Sequence, residues 1–368
     1  MKICLDARSP GYAGVLNYVS CLLRSLLEID NQNEYIILSN VKDKKWDFKN
    51  VKEIVIPWSD PIGWLLWSNI NLPKIIKNEQ VDVYHSLKHV TAFRGKCKKI
   101  VTFHSARFFF LPRHYKWYDA LHWRIMYPAA AKKYDRIIVV SEAEKNQYIK
   151  YIGVPESKYR VINLAADDRF KVIKDEKLLK AVQTKYNLPD RFILFVGRIL
   201  PVKNIETIIQ AYILAKEKHR FDHKLVIVGH KTWYLPKILS LIKELEITED
   251  IVFTGPVYDE LPFIYNLADL FLFPSFYEAF PAVPLEAMAS GTPVITSNTG
   301  GLPEVVGDAA LQASPNNPTT VADAIVKILS SKKLRKSMIE KGFERTKNFS
   351  WERCAFGHLK VYEELCLK

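Results

Sequence analysis

Two glutamates, Glu278 and Glu286, stand with seven residues between them in SFYEAFPAVPLEAMASGTPVITSNTGGLPEVVG, the segment from Ser275 to Gly307. Ionised carboxylates only accept hydrogen bonds, so such a pair can grip sugar hydroxyls and leave phosphate to other groups. Cations suited to phosphate lie upstream in FVGRILPVKNIETII, where Arg198 and Lys203 precede a helix-period stretch. Two positive charges at a helix entry can neutralise a diphosphate leaving group. A helix beginning near Ala282 would place Glu286 about one turn in and leave its first amides for a diphosphate. Phe280, Val283 and Leu285 flank that entry and are substrate-binding candidates.

Other candidates sit where a strand gives way to a loop. His104 ends KIVTFH and His85 ends VDVYHS, so both are expected at the carboxyl edge of a sheet, where open α/β folds bind ligands. Gly11 and Gly14 follow KICLDA and open a helix, as a phosphate-approach loop would; the spacing is not G-x-G-x-x-G, which argues against a dinucleotide site. Gly255, in IVFTGPVYDEL, is a further main-chain candidate, and Ser141 a weaker one. There is no D-x-D after a strand and no H-E-x-x-H, so no metal site is expected.

The elements that would carry these residues are short apolar runs alternating with amphipathic stretches. KICLDA, EYIILS, KEIVIP, VDVYHS, KIVTFH, RIIVVS and RVINLA read as strands. Helix-period segments separate several of them; in LNYVSCLLRSLLEI, Leu16, Val19, Leu22, Leu23 and Leu26 share a face. After Ala165 the polar stretch AADDRFKVIKDEK reads as a hinge, and the alternation restarts with RFILFVG, KLVIVG, IVFTG, LFLFPS and PVITS. The expectation is α/β with two doubly wound, Rossmann-like domains over 1–167 and 168–349, and a final helix, 350–368, packing back on the first.

The chain has 368 residues and a net charge of +13, with 48% hydrophobic residues, which excludes disorder and suits two domains. No apolar run approaches the roughly 18 residues of a spanning helix. Five scattered cysteines without a C-x-x-C pair, and Asp6 and Arg8 where a leader needs apolar residues, point to the cytoplasm. Between His85 and Arg136 twelve lysines and arginines face only Asp119 and Asp135, so most of the net charge lies there. They are interleaved with Phe103, Phe108, Phe109, Phe110, Tyr115, Trp117, Tyr118, Trp123 and Tyr127, a mixture suited to an anionic surface. PWSDPIGWLLW, with Trp58, Trp64, Leu65, Leu66 and Trp67, offers a second apolar contact.

The Glu278–Glu286 block, with EAMASGTPVI and GGLPEVVG around it, resembles the nucleotide-sugar site of the retaining family-4 (group 1) glycosyltransferases. The resemblance implies the GT-B architecture with an active site in the cleft between domains, and a nucleotide sugar as substrate without a cofactor. Glu278 would hold hydroxyls of the donor sugar near its anomeric carbon, Glu286 the ribose hydroxyls, and Arg198 and Lys203 the diphosphate. Gly14 would lie near the phosphates, His104 near the sugar and Gly255 near the nucleobase, and Glu304 would be a structural helix-start residue; His85 stays a substrate-binding candidate by its place at a strand end alone. The family's usual Gly-Phe-Gly is Ala279-Phe280-Pro281 here, and Pro281 has no N–H to give. Ser105 replaces the aspartate that usually follows the histidine.

The reaction so implied is metal-independent transfer of a hexose, mannose from GDP-mannose by likeness to polysaccharide-building members, or else a hexose from a UDP-hexose. The acceptor would be a hydroxyl of a glycan or lipid-linked glycan at the inner face of an anionic membrane. A GT-B sugar-nucleotide epimerase shares the fold. A nucleic-acid-binding protein would use the basic segment but leave the glutamates and Arg198/Lys203 without purpose, so no nucleic-acid partner is expected.

Overall fold

β-Branched and aromatic runs flanked by helices form two all-parallel sheets. The computed structural model describes residues 1–8, 13–56, 67–88, 95–115 and 117–366, apart from the side chains of 13–16. Gly11, Trp58, Trp64, Leu65, Leu66, Arg94, Lys116 and the side chain of Leu16 lie outside the described residues. The chain divides into two compact units, one of Met1–Leu164 with Ser350–Lys368 and one of Ala165–Phe349.

The first unit holds β1 (Lys2–Asp6), β2 (Glu34–Ser39), β3 (Val51–Val55), β4 (Val83–Ser86), β5 (Lys98–Phe103), β6 (Arg136–Val139) and β7 (Tyr159–Val161). Their order is β3-β2-β1-β4-β5-β6-β7, every pair parallel, so the chain reverses its direction of growth between β1 and β4. Helices cover both faces, so Ile3, Cys4 and Leu5 of β1 are buried in succession rather than alternately. On the helix Ala13–Ile29, Val19, Leu22, Leu23 and Leu26 are buried, and the helix Trp351–Cys366 packs against it. That last helix buries Trp351, Cys354, Ala355, His358, Leu359, Tyr362 and Leu365, a stripe of helical period.

The second unit holds β8 (Phe192–Val196), β9 (Lys224–Val228), β10 (Ile251–Gly255), β11 (Leu270–Phe273), β12 (Val294–Ser297) and β13 (Leu311–Ala313). Here the order is β10-β9-β8-β11-β12-β13, again all parallel, and the reversal falls between β8 and β11. Ligands of open α/β sheets bind beyond the carboxyl ends of the strands at such a reversal. Backbones converge closely at that edge: a Cβ on Gly229 would lie 1.9 Å from the Gly197 carbonyl oxygen, so only glycine fits there. Phe192–Val196 and Leu270–Phe273 are wholly in the core, and each such large apolar side chain contributes about 1.5–3 kcal/mol.

Candidate active site

In the second unit, β8 leads two cations, and β11 one carboxylate, to the carboxyl edge. β8 runs out through Gly197 to an exposed Arg198 and a short turn, Pro201–Lys203; β11 runs into the loop that carries Glu278. Lys203 Nζ donates to Glu278 Oε1 at 2.6 Å, with side chains 16% and 11% exposed, so a partly buried ion pair bridges the point of reversal. The ammonium also lies 4.8 Å from the centre of the Phe273 ring.

The Glu278 loop is held from several sides. The Phe276 N–H donates to the Val202 carbonyl (2.9 Å), and Asn204 Nδ2 donates to the Pro274 carbonyl (3.0 Å). Ser297 Oγ donates to the Ser275 carbonyl (2.5 Å), Thr299 Oγ1 to the Phe276 carbonyl (2.9 Å), and the Gly301 N–H to the Glu278 carbonyl (2.8 Å). A Cβ on Gly301 would come within 2.2 Å of the Ala279 carbonyl oxygen, so a bare backbone is required where GGLPEVVG passes the loop.

Glu286 is the fifth residue of the helix Ala282–Ala289 and is buried; Tyr265 donates to its Oε2 at 3.0 Å. Burial raises its pKa to about 7, against the opposing effects of the Tyr265 hydrogen bond and the Arg169 charge, while Asp167 adds to the rise. The entry to this helix offers fewer amides than its position suggests. Pro281 caps it and Pro284 is its third residue, so of the four positions that lack an intrahelical acceptor only Ala282 and Val283 carry an N–H. The Leu285 side chain is core, Val283 is half-buried, and the Phe280 ring turns edge-on to Phe349 at 5.7 Å. Gly255 ends β10 with φ at 77°, and its carbonyl accepts from the Gly229 N–H (3.0 Å). Glu304 is the third residue of the helix Leu302–Val306; its carbonyl and that of Val305 accept from Arg345.

In the first unit Gly14 is the second residue of the helix that follows β1. His104, just past β5, bonds through Nε2 to the Leu87 carbonyl at 2.8 Å and meets the edge of Tyr18 at 4.8 Å. Its pKa is pushed down to about 4 by burial, so the ring is neutral; because a carbonyl only accepts, Nε2 carries the hydrogen and Nδ1 keeps its lone pair.

His85 departs from the edge position expected of it. It is fully buried in the third position of β4, paired on both sides by β1 and β5. Nδ1 bonds to Tyr362 Oη (2.8 Å) and Nε2 to Thr102 Oγ1 (2.9 Å), so both ring nitrogens are used within the unit. The chain of bonds continues through Tyr18 Oη (3.3 Å from Thr102 Oγ1) to His358 Nε2 (3.2 Å), whose Nδ1 bonds to the Cys354 carbonyl (2.8 Å). Beside the end of β1, Arg8 and Asp6 form a buried two-bonded ion pair (2.8 and 2.7 Å), with Tyr84 also donating to Asp6 (2.8 Å). Ser141 is the N-cap of the helix Glu142–Ile152, its hydroxyl accepting from the Glu144 N–H.

Two family models divide the chain: "Glycosyl transferases group 1" matches residues 178–345 and "Glycosyltransferase Family 4" matches residues 13–170. O-antigen chain mannosyltransferase B of Escherichia coli is 30% identical over 285 residues, 77% of this chain and 74% of that one. The chain belongs to the group 1 glycosyltransferases. A serotype-specific mannosyltransferase of the same organism is 30% identical over 237 residues, 63% of this chain but only 29% of its own length. The fold is that of the solved sucrose-phosphate synthase from Thermosynechococcus elongatus (TM-score 0.79, 21% identity, covering 100% of this chain and 99% of that one), so the glycosyltransferase has the GT-B architecture.

In this glycosyltransferase the basic aromatic segment is only partly a surface. Phe103, Phe109 and Tyr127 lie in the core, Phe108, Phe110 and Trp123 are half-buried beside it, and Tyr115 is half-buried. Of the aromatics singled out there, Trp117 and Tyr118 alone are exposed, and they are joined by Leu121 and Ile125 on the helix Trp117–Lys133. Arg136 is tied to Glu364 (2.7 Å), outside the segment, so its charge does not add to that surface. Among the described residues no group of three or more His, Cys, Asp or Glu is placed to hold a metal ion. Sequence reasoning missed Tyr265 as the partner of Glu286, and Asn204, Ser297 and Thr299 as supports of the Glu278 loop.

Proposed function

We propose that this glycosyltransferase moves mannose from GDP-mannose to a hydroxyl of a glycan or lipid-linked glycan, with retention at the anomeric carbon and without a metal ion. The observation that carries the reading is the Lys203–Glu278 pair at the sheet reversal, beside the exposed Arg198 and with the buried Glu286 in the helix that follows. Lys203 and Arg198 receive the diphosphate and stabilise the charge that grows on it as the glycosidic bond breaks. Glu278 turns to the sugar hydroxyls near the anomeric carbon, and Glu286 accepts from the ribose. The departing phosphate takes the acceptor's proton on the same face, so no protein base is required. Mannose as the sugar is supported by the mannosyltransferase relatives. A thermal-shift panel of GDP, UDP, ADP and dTDP sugars tests the donor, since a ligand of the native state raises its melting temperature. Stabilisation and turnover with UDP sugars alone would overturn GDP-mannose. The anomeric configuration of the product tests retention, and loss of activity in EDTA with rescue by Mn²⁺ would overturn the metal-free reaction.

The enzyme would work in the cytoplasm at the inner face of the membrane, docking through the helix Trp117–Lys133. Trp117, Leu121 and Ile125 recur every four residues on one exposed stripe, with Arg113, Arg124, Lys132 and Lys133 exposed around them. An apolar stripe bordered by cations fits an anionic lipid surface, at about 1 kcal/mol per basic residue. Sedimentation with phosphatidylglycerol vesicles at low salt, lost at about 0.5 M salt, is expected; equal binding to neutral vesicles would refute it.

A further inference from the structure

Two of the bonds that hold the backbone around Lys203 come from a side chain that has no charge. Asn204 follows Lys203, is 2% exposed, and takes a left-handed backbone conformation (φ 60°, ψ 44°) that asparagine tolerates better than most residues. Both hydrogens of its amide are used: Nδ2 donates to the Pro274 carbonyl at 3.0 Å and to the Pro315 carbonyl at 2.7 Å. Pro274 begins the loop to Glu278, and Pro315 lies just beyond β13. On the other side of Lys203, the Val202 carbonyl accepts the Phe276 N–H at 2.9 Å. The residues directly before and after Lys203 are therefore each stitched to the loop that carries Glu278. A lysine on its four-carbon stem is a poorly directed charge unless its backbone origin is fixed.

We propose that Asn204 is the positioning residue that aims Lys203 at the donor's diphosphate and sets its distance from Glu278. The inference rests on the reading that Lys203 receives that diphosphate. Asn204 itself touches no ligand; it acts through the two carbonyls.

Asn204→Gly keeps the backbone conformation and loses the amide, whereas Asn204→Asp keeps the shape and loses both donors. Each variant of the full chain is titrated calorimetrically with GMP, GDP, UMP and UDP, and its melting temperature is followed separately. Both amide donors of Asn204 go to the Pro274 and Pro315 carbonyls and neither to Glu286, the residue read as holding the ribose, so monophosphate affinity is expected to stay within about twofold of wild type. The advantage of diphosphate over monophosphate is expected to fall about tenfold in both variants, the loss of one charge-assisted hydrogen bond. A folded Gly variant with the wild-type diphosphate advantage would overturn the proposal, and so would an equal loss for mono- and diphosphates. Wild-type protein that binds none of the four nucleotides would overturn the functional reading itself, a result visible before any variant is made.

Discussion

Glu278→Gln is expected to bind free nucleoside diphosphate more tightly than the wild type while losing turnover. The Lys203 ammonium is already matched by the Glu278 carboxylate at 2.6 Å, and both side chains are more than four-fifths buried. A phosphate reaching that ammonium places a second anion beside the first, roughly 5 Å away when both touch one nitrogen. At an effective dielectric of about 20 the repulsion is about 3 kcal/mol, reduced to about 1–2 kcal/mol by the residual solvent and by neighbouring cations. Glutamine keeps the shape and the accepting oxygen but removes the charge, so GDP affinity should rise about 5- to 30-fold. GDP-mannose should gain nothing or bind more weakly, because the sugar hydroxyls lose a charged acceptor worth about 1.5–3 kcal/mol. Calorimetry at pH 7.5 with GDP and GDP-mannose compares the two changes directly. Unchanged or weaker GDP binding in the variant would refute the competition between carboxylate and phosphate.

Glu286 gives a pH signature. Its pKa near 7, raised by burial, leaves the unliganded protein half-protonated at neutrality, and only the carboxylate accepts from both ribose hydroxyls. Nucleotide affinity should rise from pH 6 to pH 8 in the wild type and stay flat in Glu286→Gln. Because the folded pKa is raised, this group's stabilising effect is complete below about pH 4.5 and lost as pH rises through about 7, so the glutamine variant should melt higher than the wild type at pH 8. Gly301→Ala must push the Ala279 carbonyl out of a 2.2 Å clash, and should cost about 1–3 kcal/mol with a larger loss of turnover than of nucleotide affinity, read from melting curves and kinetics. Asp6→Asn removes the carboxylate that makes two bonds to the buried Arg8 guanidinium and should destabilise the protein by roughly 3–5 kcal/mol, measured by denaturant unfolding.

The strand pattern was almost fully legible because parallel strands covered on both faces read as unbroken apolar runs. β13 escaped because it is three residues long, with a polar Gln312 at its centre, and pairs only with β12. Lys203 and Glu278 were legible as residue types at strand ends, but that they meet depends on the reversal between β8 and β11, which no local pattern encodes. Tyr265 reaches Glu286 from the helix Leu261–Leu267, a separation too long for periodicity to connect. His85 misled for a related reason: its place near a strand end says nothing of Tyr362, which arrives from 277 residues away to bond it. Composition likewise could not separate Tyr127, in the core, from Trp117, 75% exposed, within one helix.

The helix Trp351–Cys366 belongs to the first unit although the whole second unit lies between them in the chain. During synthesis the first sheet must therefore wait, lacking Tyr362 and His358 as partners of His85 and Tyr18, until residues 165–349 have emerged. If those residues have folded by then, their ends are held at a fixed separation, and the closing helix does not bear the full entropy of a long flexible loop. A mutation confined to the core of the second unit would then slow completion of the first, and a protease cut between Phe349 and Trp351 would unlatch a unit whose own sheet was untouched.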